Sequence, residues 1–257
     1  MKKEWSIFLT AVMFYTRIPC PRWVDHSASM LNKSTRYFPL IGWIVGGVSG
    51  LVFLGAAQIL PPSTAIVLSM ISGVLLTGAF HEDGFADVCD GFGGGWTKEK
   101  ILAIMKDSAI GAYGAIGMIF ILLLKFVLLW ELNSWLNPIE LVFVLISGHS
   151  ISRSNAVLMI YTDNYAREDA SSKAKPVAKQ MKVESFVVAL ILGAIPLLYF
   201  QNPYLTAVFP VLYLVKLYLS HYFKKWIGGY TGDCLGAVQQ VSEISFYLMI
   251  LLLWNYI

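Results

Sequence analysis

The sequence is short of charged residues. Of its 257 residues, 14% are charged and 57% are hydrophobic, whereas a soluble domain has about 25% charged residues. This composition excludes a soluble globular fold. Because no polar stretch of domain size remains between the apolar runs, we predict that residues 1–257 form a single integral membrane domain.

Cysteine is also scarce. Cys20, Cys89 and Cys234 are far apart in the sequence, and this is not the spacing of a disulfide framework or of a zinc site. We interpret the three as small packing residues. Any metal site is then left to oxygen ligands, which favour Mg²⁺ or Mn²⁺.

Apolar runs of about 20 residues, long enough to cross a bilayer, recur along the chain. They predict an all-α polytopic integral membrane protein with about seven transmembrane helices. The predicted spans are Tyr37–Leu60, Ser63–Phe80, Ala112–Trp130, Ile139–Tyr161, Glu184–Phe200, Tyr204–Phe223 and Leu235–Tyr256. The apolar start, Trp5–Tyr15, is shorter, and no small-residue cleavage site follows it. We predict a retained N-terminal interfacial helix there, in preference to an additional full span.

The basic residues predict the topology. Of the 19 lysines and arginines, 16 fall in residues 1–36, 81–111, 162–183 and 224–234, which alternate spans place on one side. The opposite connections contain none. The positive-inside rule therefore predicts a multi-pass protein of the bacterial cytoplasmic membrane whose basic loops face the cytoplasm. The net charge of +3 reflects these loops and is no sign of nucleic-acid binding.

An acidic motif, His81–Gly91, follows the second predicted span. Asp83, Asp87 and Asp90 are spaced i, i+4, i+7, so on a helix continuing from the span they share one face. Glu82 lies about 100° around the same turn. Because clustered carboxylates repel one another more strongly as they leave bulk water, we expect a divalent cation among the four. A solvated acidic loop is the alternative.

A magnesium site of this kind predicts phosphate chemistry. Mg²⁺ held by a few carboxylates takes its other ligands from water and substrate phosphates, and two ions can clamp a displacement. We expect one or two Mg²⁺ ions, for which Mn²⁺ can substitute. Asp107 lies just before the next span, where the hairpin can return it to the cluster. The predicted active site is thus at the cytoplasmic mouth of the bundle.

Three further features are candidate phosphate contacts. Gly93 and Gly94 precede a polar helical stretch, where glycine N–H groups can surround a phosphate; a flexible turn is the alternative. His149 and Arg153 are spaced i, i+4 within the fourth span, where ionisable groups normally face the bundle interior. Arg153 can hold a phosphate or form a structural pair with a carboxylate. Asp233, among glycines before the last span, completes the site or caps a helix.

These motifs resemble the cobalamin synthase family, the adenosylcobinamide-GDP ribazoletransferases. The acidic motif followed by Met105–Ser108 is the most specific part of the resemblance. The other residues that carry it are Thr16–Pro19, Tyr37–Gly42, Gly111, Ser152, Arg153, Gly232, Asp233, Gly236 and Ala237. The resemblance implies an enzyme that joins α-ribazole or its 5′-phosphate to the adenosylcobinamide phosphate part of adenosylcobinamide-GDP. GMP is released, and adenosylcobalamin or its 5′-phosphate is formed with Mg²⁺, late in coenzyme B12 assembly.

The resemblance also implies roles for individual residues. Asp83, Asp87 and Asp90 would bind the metal, with Glu82 ranked below them. Asp107 or one of the cluster acids would take the hydroxyl proton of ribazole. The residues expected to bind substrate are Arg17, Gly93, Gly94, Lys106, His149, Arg153 and Asp233. The expected partners are the two substrates and the bilayer, and a homo-oligomer or a complex with other B12-assembly enzymes is compatible with the sequence.

Three other classes remain open. Membrane CDP-alcohol phosphotransferases share the kernel formed here by Asp87, Asp90 and Gly91, but their second aspartate pair is absent. Aromatic prenyltransferases need a second aspartate-rich motif, for which Asp233 is a poor substitute. An ion-coupled transporter would carry its acids near the midplane and is often built from an inverted repeat, and we find neither.

Overall fold

The computed structural model describes residues 2–166 and 181–254, and the regular elements in these ranges are helices. The α-helices are α1 (Lys2–Tyr15), α2 (Ala28–Ser34), α3 (Phe38–Ala56), α4 (Pro62–Thr77), α5 (Phe80–Gly94), α6 (Lys98–Ile104), α7 (Ala112–Trp135), α8 (Pro138–Thr162), α9 (Val183–Ala194), α10 (Val208–Ile227) and α11 (Gly232–Trp254). Short 3₁₀ helices occupy Thr35–Tyr37, Ile195–Phe200 and Pro203–Ala207. The predicted all-α class is confirmed.

The number of spans agrees with the prediction. Within the described ranges, 6 helical stretches are long and apolar enough to cross a membrane, or up to 7 if the bent pair α4 and α5 counts as one span. The six are Ala28–Ala56, Ala112–Trp135, Pro138–Thr162, Val183–Phe200, Pro203–Ile227 and Gly232–Trp254. The chain is therefore a multi-span membrane protein.

The second predicted span is broken. Its helix, α4, has 16 residues and is about 24 Å long, less than the roughly 30 Å of a hydrocarbon core. It ends at Gly78 (φ 67°), and Ala79 (φ 58°) is also left-handed. Helix α5 then leaves at 88° to α4. The expectation that the acidic motif continues the helix of the span is wrong, because two successive left-handed residues turn the chain.

Helix α1 is too short to cross a membrane by itself. Its 14 residues extend about 21 Å. Ile7, Ala11 and Tyr15 are buried against the bundle, whereas Trp5 is 57% exposed. This amphipathic character agrees with the predicted interfacial helix, since an exposed tryptophan near a bundle end is typical of the membrane interface.

Helix α8 forms the centre of the bundle and packs closely on α3. A Cβ added to Gly42 would lie 2.3 Å from the backbone oxygen of His149, and one added to Gly46 would lie 2.6 Å from the Cα of Ile146. Only glycine permits this approach, as membrane helix packing favours. The close contact leaves α8 buried along most of its length and so places its polar residues inside the bundle.

Several helix ends meet on one side of the bundle, which is the side of the predicted basic loops. The N–H of Arg17 donates to the carbonyl of Leu76 at 2.7 Å, which joins the end of α1 to the end of α4. The N–H of Tyr230 donates to the carbonyl of Asn164 at 3.0 Å and joins the end of α8 to the start of α11. Four of the basic residues counted on this side, Arg167, Lys173, Lys175 and Lys179, lie outside the described residues.

On this side of the bundle, an ion pair with Asp163 neutralises the positive charge of Lys216. Lys216 is buried, and Asp163 also accepts a hydrogen bond from the hydroxyl of Ser220. Partial burial opposes ionisation of Asp163, but the hydrogen bonds from Lys216, Ser220 and Thr162 outweigh it and lower the pKa of this carboxyl. The pair fastens the end of α8 to α10.

Candidate active site

A cavity of about 580 Å³ lies at the break between α4 and α5. The ends of α1 and α8 and the starts of α3 and α11 complete its wall. Its charged and titratable lining side chains are Arg17, His81, Asp83 and Asp233, together with two tyrosines. It therefore opens where the helix ends meet, on the side of the basic loops.

Two carboxylates reach this cavity because α5 and α11 cross closely. A Cβ added to Gly84 would lie 3.0 Å from the Cα of Asp233, and one added to Gly236 would lie 2.9 Å from the backbone oxygen of His81. Asp83 is exposed in the cavity, and Asp233 is partly buried. The structure thus brings together two predicted site residues that are 150 positions apart in the sequence.

Asp233 also belongs to the first turn of α11. A carboxylate there is stabilised by the positive end of the helix dipole, and the hydroxyl of Thr231 lies 3.3 Å from its Oδ2. The helix-terminal role and the site role predicted for Asp233 are therefore compatible.

Arg17 supplies the positive charge of the cavity. A Cβ added to Gly78 would lie 2.1 Å from its Nε. The left-handed glycine that ends α4 thus also leaves room for the guanidinium. An exposed guanidinium beside two carboxylates is suited to a ligand that carries both phosphate and a metal ion.

An aromatic wall lines the rest of the cavity. Tyr15 and Phe38 are stacked with ring centroids 4.2 Å apart, and Phe14 and Phe80 meet edge to face at 5.6 Å. Burial raises the pKa of Tyr15 to about 12, so this phenol is neutral at physiological pH. Tyr15 and Phe38 are buried, whereas Phe80 is 43% exposed, so Phe80 offers the accessible apolar surface for a planar ring.

Asp90 does not reach the cavity. It is buried, and its two oxygens accept the backbone N–H groups of Gly111 at 2.7 Å and of Gly114 at 2.8 Å. These are free donors of the first turn of α7, which a carboxylate caps well. Asp90 is thus turned toward the start of α7 and does not line the cavity beside Asp83, and its catalytic and metal-binding roles stay predictions. Asp87 lies between these two aspartates on α5 and is half-buried.

Glu82 points away from the cavity and into the bundle. It is buried, and the side-chain amide of Gln240 donates to its Oε1 at 3.0 Å. The four acids of the motif therefore occupy different environments. Within residues 2–166 and 181–254, no group of three or more His, Cys, Asp or Glu side chains is placed to hold a metal ion, so the expected four-acid metal cluster is not formed.

The hairpin after α6 returns to α5, as predicted, but through other residues than Asp107. A Cβ added to Gly91 would lie 2.5 Å from the Cγ of Met105. Asp107 and Lys106 are exposed, and Asp107 accepts the N–H of Ala109 at 3.1 Å. Their catalytic and substrate-binding roles stay predictions.

Gly93 and Gly94 do not form a loop. They belong to the last turn of α5, and a Cβ added to Gly93 would lie 2.4 Å from the ring of Tyr113. The expected glycine loop before a helix is therefore not formed, and Gly93 leaves room for Tyr113 at the start of α7. Helix α6 begins separately, where the side chain of Thr97 caps the N–H of Lys100.

His149 and Arg153 share a cavity, as their spacing predicts, but it is a different one. This second cavity lies inside the bundle and has room for about one water molecule, at about 10 Å³. Arg153 is 1% exposed and donates to the backbone oxygen of His149 at 2.7 Å. His81 lines both cavities.

Glu243 is the centre of this buried polar cluster. It pairs with Lys125 at 2.5 Å and accepts hydrogen bonds from Tyr247 at 2.8 Å and Gln239 at 2.7 Å. Gln239 in turn accepts a hydrogen bond from Gln240, the residue that binds Glu82. The sequence analysis did not identify Glu243. An acid inside the last span is nevertheless the natural partner of Lys125 and Arg153, the basic residues of other spans that line the same cavity.

The fold and the cavity define a class: a polytopic helical membrane protein with an anionic and aromatic site at one end of its bundle. The profile of the cobalamin-5-phosphate synthase family matches residues 7–251. A relative from Shewanella frigidimarina, named adenosylcobinamide-GDP ribazoletransferase, is 47% identical over 249 residues, which are 97% of this chain and 95% of that protein. A relative of the same name from Leptospira interrogans is 45% identical over 99% of this chain and 98% of its own.

No solved structure matches the chain. The sequence relatives nevertheless match nearly the whole chain. The chain belongs to the cobalamin-5-phosphate synthase family.

Proposed function

We propose that the protein is an adenosylcobinamide-GDP ribazoletransferase of coenzyme B12 assembly. The observation that carries this proposal is the 47% identity, over 97% of the chain, to a relative of that name. In the reaction, a ribose hydroxyl of α-ribazole or of its 5′-phosphate attacks the phosphorus next to cobinamide. The bond from that phosphorus to GMP breaks, and GMP leaves with the bonding electrons while the hydroxyl proton passes to a base.

The cavity beside Asp83 is the proposed site of this transfer. Its volume, about 580 Å³, is that of an ordinary small-molecule pocket. It is too small for the corrinoid ring, the guanosine diphosphate and α-ribazole together. We therefore place the diphosphate and the ribazole within it and the corrinoid ring at its mouth.

The charged residues of the cavity would act on the diphosphate. Arg17 would hold phosphate oxygens and neutralise part of their charge. Asp83 or Asp233, whichever is nearer the attacking hydroxyl, would accept its proton. Asp83 belongs to the acidic motif and Asp233 to the last motif of the family resemblance, and their meeting in one cavity supports this assignment.

Magnesium fits this site as an ion shared with substrate. Mg²⁺ commonly uses one or two carboxylates and completes its shell with phosphate oxygens and water, so one of Asp83 and Asp233 can hold the ion while the other accepts the proton. When bound, Mg²⁺ would neutralise the charge that develops on the departing phosphate. Manganese would fit the same oxygen ligands.

The aromatic wall would receive the base of α-ribazole. A planar heterocycle stacked on an aromatic side chain contributes about 1–3 kcal/mol. Phe80, the exposed ring of this wall, packs edge to face against the buried Tyr15 and lines the same cavity as Asp83. A base held there would leave its ribose directed toward the carboxylates.

The proposed orientation puts this cavity in the cytoplasm. It opens on the side that holds the basic loops, and the positive-inside rule assigns such loops to the cytoplasm of a bacterial cell. The association with a second copy or with other B12-assembly enzymes stays a prediction.

The experiment is a transfer assay with purified protein in nanodiscs. Adenosylcobinamide-GDP is supplied with and without α-ribazole and with and without Mg²⁺, and GMP and the corrinoid product are measured by chromatography. We expect equal amounts of GMP and product, only with both α-ribazole and the metal. GMP release that ignores α-ribazole, or no release at all, would reject the proposal, and full activity in excess chelator would reject the metal.

A further inference from the structure

A second large cleft lies at the other end of α1. Its volume is about 590 Å³, and it is bounded by α1, α2 and the start of α9. Four basic side chains line it, namely Lys3, Lys33, Arg36 and Lys182. Along α1, Ile7 lines this cleft and Phe14 lines the Asp83 cavity, so the two are about 10 Å apart along the helix. We call it the α1–α9 cleft.

The charge of the cleft is strongly positive. Its only lining carboxylate among the described residues is Glu4, which lies 2.9 Å from Arg36 and accepts the hydroxyl of Tyr37 at 2.9 Å. Four cations against one carboxylate leave a net charge of +3 on the lining side chains. The three lysines have no ion pair in the described part of the chain, and Lys3, Lys33 and Lys182 are all exposed.

A hydrogen-bond donor in the cleft is also unused. The Nε of Arg36 is buried and has no hydrogen-bond partner in the described part of the chain. A guanidinium with an unused donor can still take an oxygen ligand, preferably an anionic one. Exposed lysines around an incompletely satisfied arginine are an arrangement suited to a phosphate group.

The depth of the cleft corresponds to the lipid headgroups. Helix α3 has 19 residues and covers about 28 Å, the thickness of the hydrocarbon core. The helical stretch Ala28–Ala56 is longer than that core, and with α3 across the core its first residues, from Ala28 to Arg36, extend beyond it. Lys182 directly precedes another span, Val183–Phe200, and lies at the same boundary. Ile7 and Met181 add apolar surface to the basic lining.

From the charge, the unused donor and the depth, we propose that the α1–α9 cleft binds a phosphate group, separately from the Asp83 cavity. Anionic lipid headgroups and free phosphorylated solutes both carry this group. A lysine near a membrane surface contributes about 1 kcal/mol to the binding of an anionic lipid, which corresponds to about fivefold in affinity. Removal of two lysines should therefore weaken binding roughly 25-fold.

The test compares the full-length protein with two double variants. Lys33→Ala with Lys182→Ala removes two charges from the cleft. Lys98→Ala with Lys100→Ala removes two equally exposed charges from α6, away from it. Each protein is purified from vesicles of phosphatidylglycerol and phosphatidylcholine, and the retained lipids are counted by native mass spectrometry. Binding of inorganic phosphate and pyrophosphate is measured by calorimetry in detergent.

We expect the wild type and the Lys98/Lys100 variant to bind the phosphate group and the Lys33/Lys182 variant to lose it. Selective retention of phosphatidylglycerol would identify a lipid headgroup as the source, and binding of the inorganic anions alone would identify a free solute. Absence of both from the wild type would overturn the proposal, as would equal binding by the Lys33/Lys182 variant. Because the readout is ligand retention, it is independent of the transferase assay.

Discussion

Asp83 and Asp233 are the two carboxylates that line the large cavity. At the residue scale, their substitution should affect the reaction without affecting the stability of the fold. We expect Asp83→Asn and Asp233→Asn each to lower kcat/KM by at least about 100-fold, since each removes a charge that would position metal and phosphate. Both side chains are solvent-accessible, so the thermal unfolding temperature should hardly change. Glu99→Gln on α6 is the control, because it removes an exposed acid outside the cavity. Wild-type turnover in either cavity variant would contradict its assignment.

Asp90 belongs to the same motif but has a different physical role. Asp90→Ala leaves the N–H groups of Gly111 and Gly114, at the start of α7, without their acceptor, and we expect it to destabilise the fold by about 2 kcal/mol. Asp90→Asn retains one acceptor oxygen, so its stability should lie between that of the wild type and that of Asp90→Ala. Thermal unfolding in detergent measures the difference. An Asp90→Ala protein as stable as wild type but inactive would show that Asp90 acts in the reaction instead.

Glu243 is a buried carboxylate whose contribution to the stability of the fold depends on its partners. Glu243→Gln leaves Lys125 as an unpaired buried cation, a change that costs about 3–5 kcal/mol. The double variant Lys125→Met with Glu243→Gln removes both charges and should recover a large part of this loss. Unfolding free energies of the wild type, the two single variants and the double variant give the coupling. A double variant no more stable than Glu243→Gln would contradict the pairing.

At the scale of elements, the crossing of α5 and α11 carries the site. Gly236→Ala would place a methyl group 2.9 Å from the backbone oxygen of His81, and backbone cannot move aside as a flexible side chain can. We expect a loss of about 1–3 kcal/mol and a fall in turnover, because the helices must separate and move Asp83 away from Asp233.

Two glycines of α3 provide the controls for this crossing. A Cβ added to Gly47 or to Gly55 meets nothing within 4 Å, so alanine there should be neutral or slightly stabilising through its higher helix propensity. Turnover and thermal stability of the three variants are compared. If Gly236→Ala and Gly47→Ala had the same turnover and thermal stability, α5 and α11 could move apart without loss of function, and the prediction would be wrong.

The broken span illustrates what an apolar pattern can and cannot predict about an element. The apolar run Ser63–Phe80 predicts one straight span, whereas α4 counts toward a span only together with the bent helix α5. The end of α4 is set by the left-handed pair Gly78 and Ala79, and an alanine in that conformation has no sequence signature. The apolar pattern therefore could not predict the 88° turn between α4 and α5 or the cavity that this turn creates.

For the whole molecule, the sequence was sufficient for the class, the number of spans and the family. It was insufficient to predict that the acids of the His81–Gly91 motif lie in different environments, because their partners are distant in the sequence. Asp90 is held by Gly111 and Gly114, 21 and 24 residues further on, and Glu82 is held by Gln240, 158 residues away. A helical wheel places the acids on a face but does not show which neighbour occupies that face.

The topology of the bundle remains the largest prediction at this scale. In a background with Cys20, Cys89 and Cys234 replaced, Lys98→Cys lies on the side of the basic loops and Ser134→Cys lies at the other end of α7. Both positions are exposed. We expect a membrane-impermeant maleimide to label Ser134→Cys in intact spheroplasts and Lys98→Cys only after permeabilisation. The reverse pattern would place the Asp83 cavity outside the cytoplasm, away from any supply of nucleotide-activated substrate, and so would contradict the proposed reaction together with the orientation.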